Sequence, residues 1–341
     1  MRLPHLFHGV LALSQNSIAA PPRPAYHGNS THDKLGAVAS ETAICSQIGI
    51  SLIKAGGNAA DAMVGTTFCV GVTGMYHSGI GGGGFMTVRS AKGEYEAIDF
   101  RETAPAAAFE DMFTNNTVAS IYGGLASGVP GEVRGLHYLH KKYGKLSWAE
   151  VMKPAIEVAR DGFPIGPDLA NAMSSSTSGG KWNFLLYDPA WAQDFAPNGT
   201  LLKLNDTITR KRYANTLETI ALQGPDAFYT GPMAEATIRA IQNTGGNMTL
   251  NDLRNYTVEV RKPLNIKYRG YKLTTTPPPS SGVVALSVMK ILEGYPDAGN
   301  AASLNITTHR LDESMRWAYA AVRSISSIKR PALSIANHSK R

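Results

Sequence analysis

Hydrophobic residues along this chain recur at two spacings, one helical and one strand-like, and these predict most of its elements. Residues 36–39 read as a short strand. Ser40 and Glu41 then open a helix that carries Ile44, Ile48, Leu52 and Ile53 at helical spacing. Gly56-Gly57 end it, because a helix C-terminus favours a residue that tolerates positive φ. Asn58 caps the next helix, with Asp61 at its third position. The run that follows, residues 62–72, is almost free of polar side chains and predicts a helix buried on most sides.

Residues 85–89 and 95–101 predict a hairpin that turns at Lys92-Gly93. Helices follow at 133–143 and 147–160, then a flexible loop at 174–180, then helices at 215–222 and 233–242. Asp252-Leu253 begin a short helical turn, and residues 257–276 alternate as strands around Arg269-Gly270. Residues 277–282 form a stiff loop, and helices at 283–292 and 309–323 close the pattern. Helices and antiparallel hairpins segregate rather than alternate, which predicts an α+β layered fold and not a doubly wound sheet.

Composition changes this picture little: 43% hydrophobic and 17% charged residues are the balance of a globular chain, not a disordered one. The net charge of +7 is partly local, since residues 329–341 hold four lysines and arginines and no acid. The clusters His140-Lys141-Lys142 and Arg210-Lys211-Arg212 lack interleaved aromatics, so they read as solvated surface charge and not as a nucleic-acid face. No window is apolar for the roughly 18 residues that a membrane span needs.

The N-terminus has the layout of a secretory signal over residues 1–20: Arg2, an apolar core at 6–13, and small residues at 17–20. A flexible leader is expected over 21–35. Asn-X-Ser/Thr sequons occur at Asn29, Asn115, Asn198, Asn205, Asn247, Asn255, Asn305 and Asn337. That is roughly three times the number expected by chance, which favours a glycosylating secretory route ending outside the cell, in the wall or in a vacuole. Cys45 and Cys69 are the only cysteines. They are either two buried thiols or, in an oxidising compartment, a disulfide pinning the first two helices as a hairpin.

Three patterns carry candidate chemistry. Residues 79–84 formally satisfy G-x-G-x-x-G, but they follow a helix and open a strand, the reverse of a dinucleotide site. A glycine run here instead lets another segment or a ligand lie directly on the main chain. Arg101 ends a predicted strand beside a proline-marked turn, where a guanidinium could clamp a carboxylate; by spacing alone, a surface ion pair with Asp99 or Glu102 is the preferred reading. Thr307-Thr308-His309 suggests an activated hydroxyl, yet Thr308 reads better as a helix N-cap. Metal-binding and serine-hydrolase motifs are absent, and no metal or cofactor is expected.

Read together, several segments resemble the gamma-glutamyltransferase (gamma-glutamyltranspeptidase, glutathione hydrolase) family. They are Gly56-Gly57-Asn58-Ala59-Ala60-Asp61-Ala62, the run 81–85, Ile98-Asp99-Phe100-Arg101-Glu102-Thr103-Ala104-Pro105, Gly128-Val129-Pro130-Gly131, Ala159-Arg160-Asp161-Gly162-Phe163, Gly224-Pro225-Asp226-Ala227-Phe228-Tyr229, Tyr268-Arg269-Gly270-Tyr271 and the run 277–282. The resemblance implies that residues 36–323 form the large-subunit region of an N-terminal nucleophile hydrolase, an αββα layered sandwich completed by a small subunit from the same precursor. It implies transfer or hydrolysis of γ-glutamyl groups from glutathione and related compounds, with Arg101 binding the glutamate α-carboxylate. It also implies that Cys45 and Cys69 form a disulfide. The family's catalytic Thr, whose own α-amine serves as base, is expected beyond the end of this chain, so no catalytic residue is assigned here. Residues 324–341 depart from the family pattern as a divergent basic tail, and the chain alone is expected to be inactive. The alternative is a non-catalytic secreted glycoprotein, or a degenerate paralogue, that binds a γ-glutamyl ligand or a partner.

Overall fold

The computed structural model describes residues 36–179 and 182–326. The expected signal segment and leader, most of the basic tail, and Asn29 and Asn337 lie outside the described residues. Helices α1 (Ala43–Lys54) and α2 (Ala59–Thr73) form the first hairpin. Asn58 accepts from the backbone N–H groups of Ala60 and Asp61, and Asp61 accepts in return from the Asn58 N–H. That reciprocal cap satisfies donors a helix start leaves open. A disulfide joins Cys45 on α1 to Cys69 on α2.

Strands β1 (Phe85–Arg89) and β2 (Tyr95–Asp99) pair antiparallel, with Gly93 at φ 82 in the turn. Next come α3 (Glu132–Tyr143), α4 (Trp148–Asp161), β3 (Phe163–Pro164), α5 (Pro167–Thr177), α6 (Phe184–Tyr187), α7 (Pro189–Phe195) and β4 (Thr207–Ile208). They are followed by α8 (Lys211–Gln223), α9 (Asp226–Tyr229), α10 (Gly231–Asn243), α11 (Leu250–Asn255) and β5 (Glu259–Arg261). The hairpin of β6 (Leu264–Tyr268) and β7 (Tyr271–Thr275), α12 (Gly282–Glu293) and α13 (Leu304–Ser326) complete the described chain. The strands form three separate antiparallel sheets, ordered β1-β2-β5, β3-β4 and β6-β7.

The main core lies where α2, α3, α4 and α8 meet the inner face of β1-β2, with Phe68, Ile98, Leu136, Met152 and Leu217 fully enclosed. A second, small cluster of Val284, Val288 and Ala318 holds α12 against α13. The outer side of α13 leaves Leu304, Trp317 and Tyr319 exposed. No helix among the described residues is long and apolar enough to cross a membrane.

Four local expectations need correction. Residues 36–39 are not a strand: no partner strand lies beside them among the described residues, and α1 begins later, at Ala43. The segment from Ser174 is helical through Thr177, because Leu169 and Met173 anchor α5 in the core and outweigh the poor helix propensity of its serines. Thr308 is not an N-cap: α13 starts at Leu304, and the Thr308 hydroxyl donates back to the Leu304 carbonyl at 2.9 Å. The basic clusters are not merely solvated. Lys142 pairs with Glu96 at 2.8 Å, and Arg210 reaches the carbonyls of Gly71 and Val72 at 3.0 and 3.1 Å.

Candidate functional site

The glycine run connects α2 to β1, so it opens a strand. Its backbone is stitched to the segment after β2: Phe100 N–H donates to Gly84 O at 2.9 Å, and Gly84 N–H donates to Phe100 O. On the other side, the N–H groups of Gly131 and Glu132 donate to Gly82 O at 2.8 and 3.0 Å. A Cβ at Gly83 would collide with the Phe100 carbonyl, so only glycine allows this approach. The run therefore holds residues 100–102 and the start of α3 on one platform.

Arg101 stands on that platform, exposed, just past the end of β2. Its main chain is clamped at both ends. Its N–H donates to Asp99 Oδ1 at 3.1 Å, and its carbonyl accepts from the Tyr256 hydroxyl at 2.8 Å. Its guanidinium has no hydrogen bond or ion pair with any described residue. The rival pairing with Asp99 is pre-empted, because Arg261 Nε already donates to Asp99 Oδ2 at 2.7 Å. The register explains this: Arg261 on β5 faces Ala97, which makes it the diagonal neighbour of Asp99 on the same sheet face.

Arg101 lines a cleft of about 510 Å³ with Thr103, Pro105, Phe113 and Ser127. Gly81 and Glu102 belong both to this cleft and to an adjoining pocket of about 380 Å³. Glu132, Arg210, Tyr213, His77 and Trp191 line the second pocket. Glu132 opens α3 and is only 4% exposed, and one of its carboxylate oxygens has no hydrogen-bond partner among the described residues. Burial pushes its carboxyl up to about 7, against a hydrogen bond from the Gly79 backbone, and the Glu102 charge adds to the rise. Burial likewise raises the Tyr213 phenol to about 12. Burial also raises the Tyr256 phenol, reinforced by the charges of Asp99 and Glu102, so Tyr256 remains a donor to Arg101.

Of the residues singled out from sequence, Arg101, Glu102, the glycine run and Arg210 reach this region. Thr307 and Thr308 sit in the first turns of α13. Cys45 and Cys69 are fully buried. Asn115, Asn198, Asn205, Asn255 and Asn305 are exposed, whereas Asn247 is half-buried and its side chain donates to Ala107 O at 3.3 Å. Sequence reasoning missed Glu132, Tyr213, Tyr256 and Arg261. Each looks locally like an ordinary helix, loop or strand residue, and only the proline-glycine pair before Glu132 hinted at a constrained position.

The gamma-glutamyltranspeptidase family profile matches residues 45–334. A glutathione hydrolase proenzyme of Arthroderma benhamiae is 56% identical over 302 residues, covering 85% of this chain and 51% of that protein. Glutathione hydrolase 3 of Arabidopsis thaliana is 43% identical over 288 residues, covering 84% and 44%. The crystal structure of Helicobacter pylori gamma-glutamyltranspeptidase superposes with a TM-score of 0.79 at 35% identity, covering 86% of this chain and 84% of that one. The chain spans about half the length of the curated relatives it matches.

Proposed function

Since this chain belongs to the gamma-glutamyltranspeptidase family and has the mixed helix-and-sheet fold of its N-terminal nucleophile hydrolases, we propose that it forms the substrate-holding part of a γ-glutamyl hydrolase or transferase. Its substrates are glutathione and related γ-glutamyl compounds, and Arg101 receives the glutamate α-carboxylate. The observation that carries this reading is the state of Arg101. Its backbone is clamped by Asp99 and Tyr256, while its guanidinium lines a cleft and has no partner among the described residues. A positioned, unpaired guanidinium is suited to two parallel hydrogen bonds with a carboxylate.

Attack on the γ-glutamyl carbonyl is the work of a Thr that none of the described residues supplies, since Thr307 and Thr308 are both helical. A small subunit from the same precursor is the proposed partner, and the exposed apolar side of α13 is one surface for it. The sequons and the Cys45–Cys69 disulfide support a route through the secretory pathway.

Calorimetric titration with glutathione tests the reading. Arg101→Ala is expected to weaken binding by about 2 kcal/mol or more, the scale of a charge-assisted pair. Equal affinity in the two proteins would remove Arg101 from the site.

A further inference from the structure

We propose that the pocket beside the Arg101 cleft is a subsite for a protonated primary amine, held between the carboxylates of Glu102 and Glu132. Its two acids reach it from different elements. Glu102 follows β2 and its carboxylate lies over Gly82, while Glu132 opens α3 and is buried in the wall. Gly81 and Glu102 also line the Arg101 cleft, so one ligand, or two ligands side by side, can span both spaces.

The unpartnered oxygen of Glu132 carries the inference. A buried carboxylate with an unmet acceptor is costly, and native folds seldom leave one without a purpose. An ammonium group brings three donors and a positive charge, which matches an unsatisfied acceptor beside a second acid. The cation already in the wall does not neutralise the pair. Arg210 donates to the carbonyls of Gly71 and Val72 and stacks over Tyr213 at 4.2 Å, and its charge acts on Tyr213 and Asp194. The groups facing Glu132 are then the Gly79 backbone, Glu102 and the Tyr213 and Tyr229 phenols, while His77 on the same pocket wall is taken up by Glu41 at 2.5 Å. None of them supplies a positive charge. That the amine belongs to the acceptor of a γ-glutamyl group rests on the function proposed above; the amine chemistry does not.

Two probes separate the claims: glycinamide, an amine without a carboxylate, and glutarate, a dicarboxylate without an amine. Each is titrated into the full chain and its variants. Glycinamide is expected to bind at least about tenfold more weakly to Glu102→Gln and to Glu132→Gln, as loss of a charge-assisted partner predicts, and unchanged to Arg101→Lys. Its binding should also tighten as pH rises through about 7, where Glu132 ionises. Glutarate should weaken with Arg101→Lys and not with either glutamine variant. Glu132→Gln copies the protonated carboxyl, and Glu102 is only half-buried, so neither change threatens folding. Glycinamide binding that is absent, or equal in wild type and both glutamine variants, overturns the subsite. Glutarate binding that ignores Arg101 while glycinamide still depends on the two acids supports the subsite and removes the carboxylate role of Arg101.

Discussion

Arg261 holds Asp99 across 2.7 Å, and in doing so it engages the acid that also holds the Arg101 backbone. Asp99 spends its other oxygen on the Arg101 N–H. One carboxylate thus fixes the Arg101 backbone and is prevented from quenching its side chain. β5 enters the sheet beside β2 and so delivers this pairing from far along the chain.

Removing that partner is expected to act on both stability and binding. Arg261→Ala leaves a nearly buried carboxylate short of one charged donor, a loss of about 1–3 kcal/mol. The freed Asp99 can then compete for the Arg101 guanidinium, so glutathione affinity should fall as well. Urea unfolding and calorimetry on the same variant check both effects. Unchanged affinity would show that Asp99 does not reach Arg101.

Asp61 offers a larger stability effect away from the site. It is fully buried and accepts from the N–H groups of Asn58, Lys145 and Leu146, at 2.8, 3.0 and 3.3 Å. Asp61→Ala strands all three donors and is expected to cost about 3 kcal/mol or more. The midpoint of urea unfolding reads it directly. A shift no larger than that of an exposed Asp→Ala control would refute the capping role.

Glu132 makes stability depend on pH in a stated direction. Its folded carboxyl is raised from 4.5 to about 7, so between those values the native state binds more protons than the unfolded chain. Stability therefore falls as pH rises through this window, by about 3 kcal/mol at most for one group. Glu132→Gln should flatten this fall and leave the variant more stable than wild type at pH 8. Urea midpoints at pH 5 and pH 8 for both proteins decide it; parallel pH profiles would contradict burial of an ionisable Glu132.

Gly83 should be intolerant of a methyl group. Gly83→Ala drives a Cβ into the Phe100 carbonyl and must push residues 100–102 aside. A destabilisation of about 1–3 kcal/mol is expected from the overpacking, together with loss of glutathione binding through displacement of Arg101. Gly166→Ala, whose Cβ meets nothing and which lines neither the cleft nor the adjoining pocket, is the matched control. Equal behaviour of the two variants would mean that the platform yields freely.

Elements stabilised by neighbours in the chain were legible from sequence. The Asn58 cap, the apolar α2, the β1-β2 hairpin and the turn at Arg269-Gly270, with φ of 46 and 85, all follow from short-range rules. The resemblance carried by the motif around Arg101 also pointed to the right family. Where neighbours were ambiguous, distant packing won. α5 keeps its serines helical because Leu169 and Met173 find a core, and residues 36–39 stay out of any sheet because no strand lies beside them among the described residues.

Sequence by itself determined the α+β class, the family and the candidacy of Arg101, because local propensity and motif order are written along the chain. Only the tertiary structure decided that, among the described residues, the Arg101 guanidinium has no partner and Glu132 is buried with an unmet oxygen. Both depend on groups brought together by folding: Arg261 lies 162 residues from Asp99, and Tyr256 lies 155 residues from Arg101. Hydrogen bonding and burial are set by distance in space, which one-dimensional spacing does not encode.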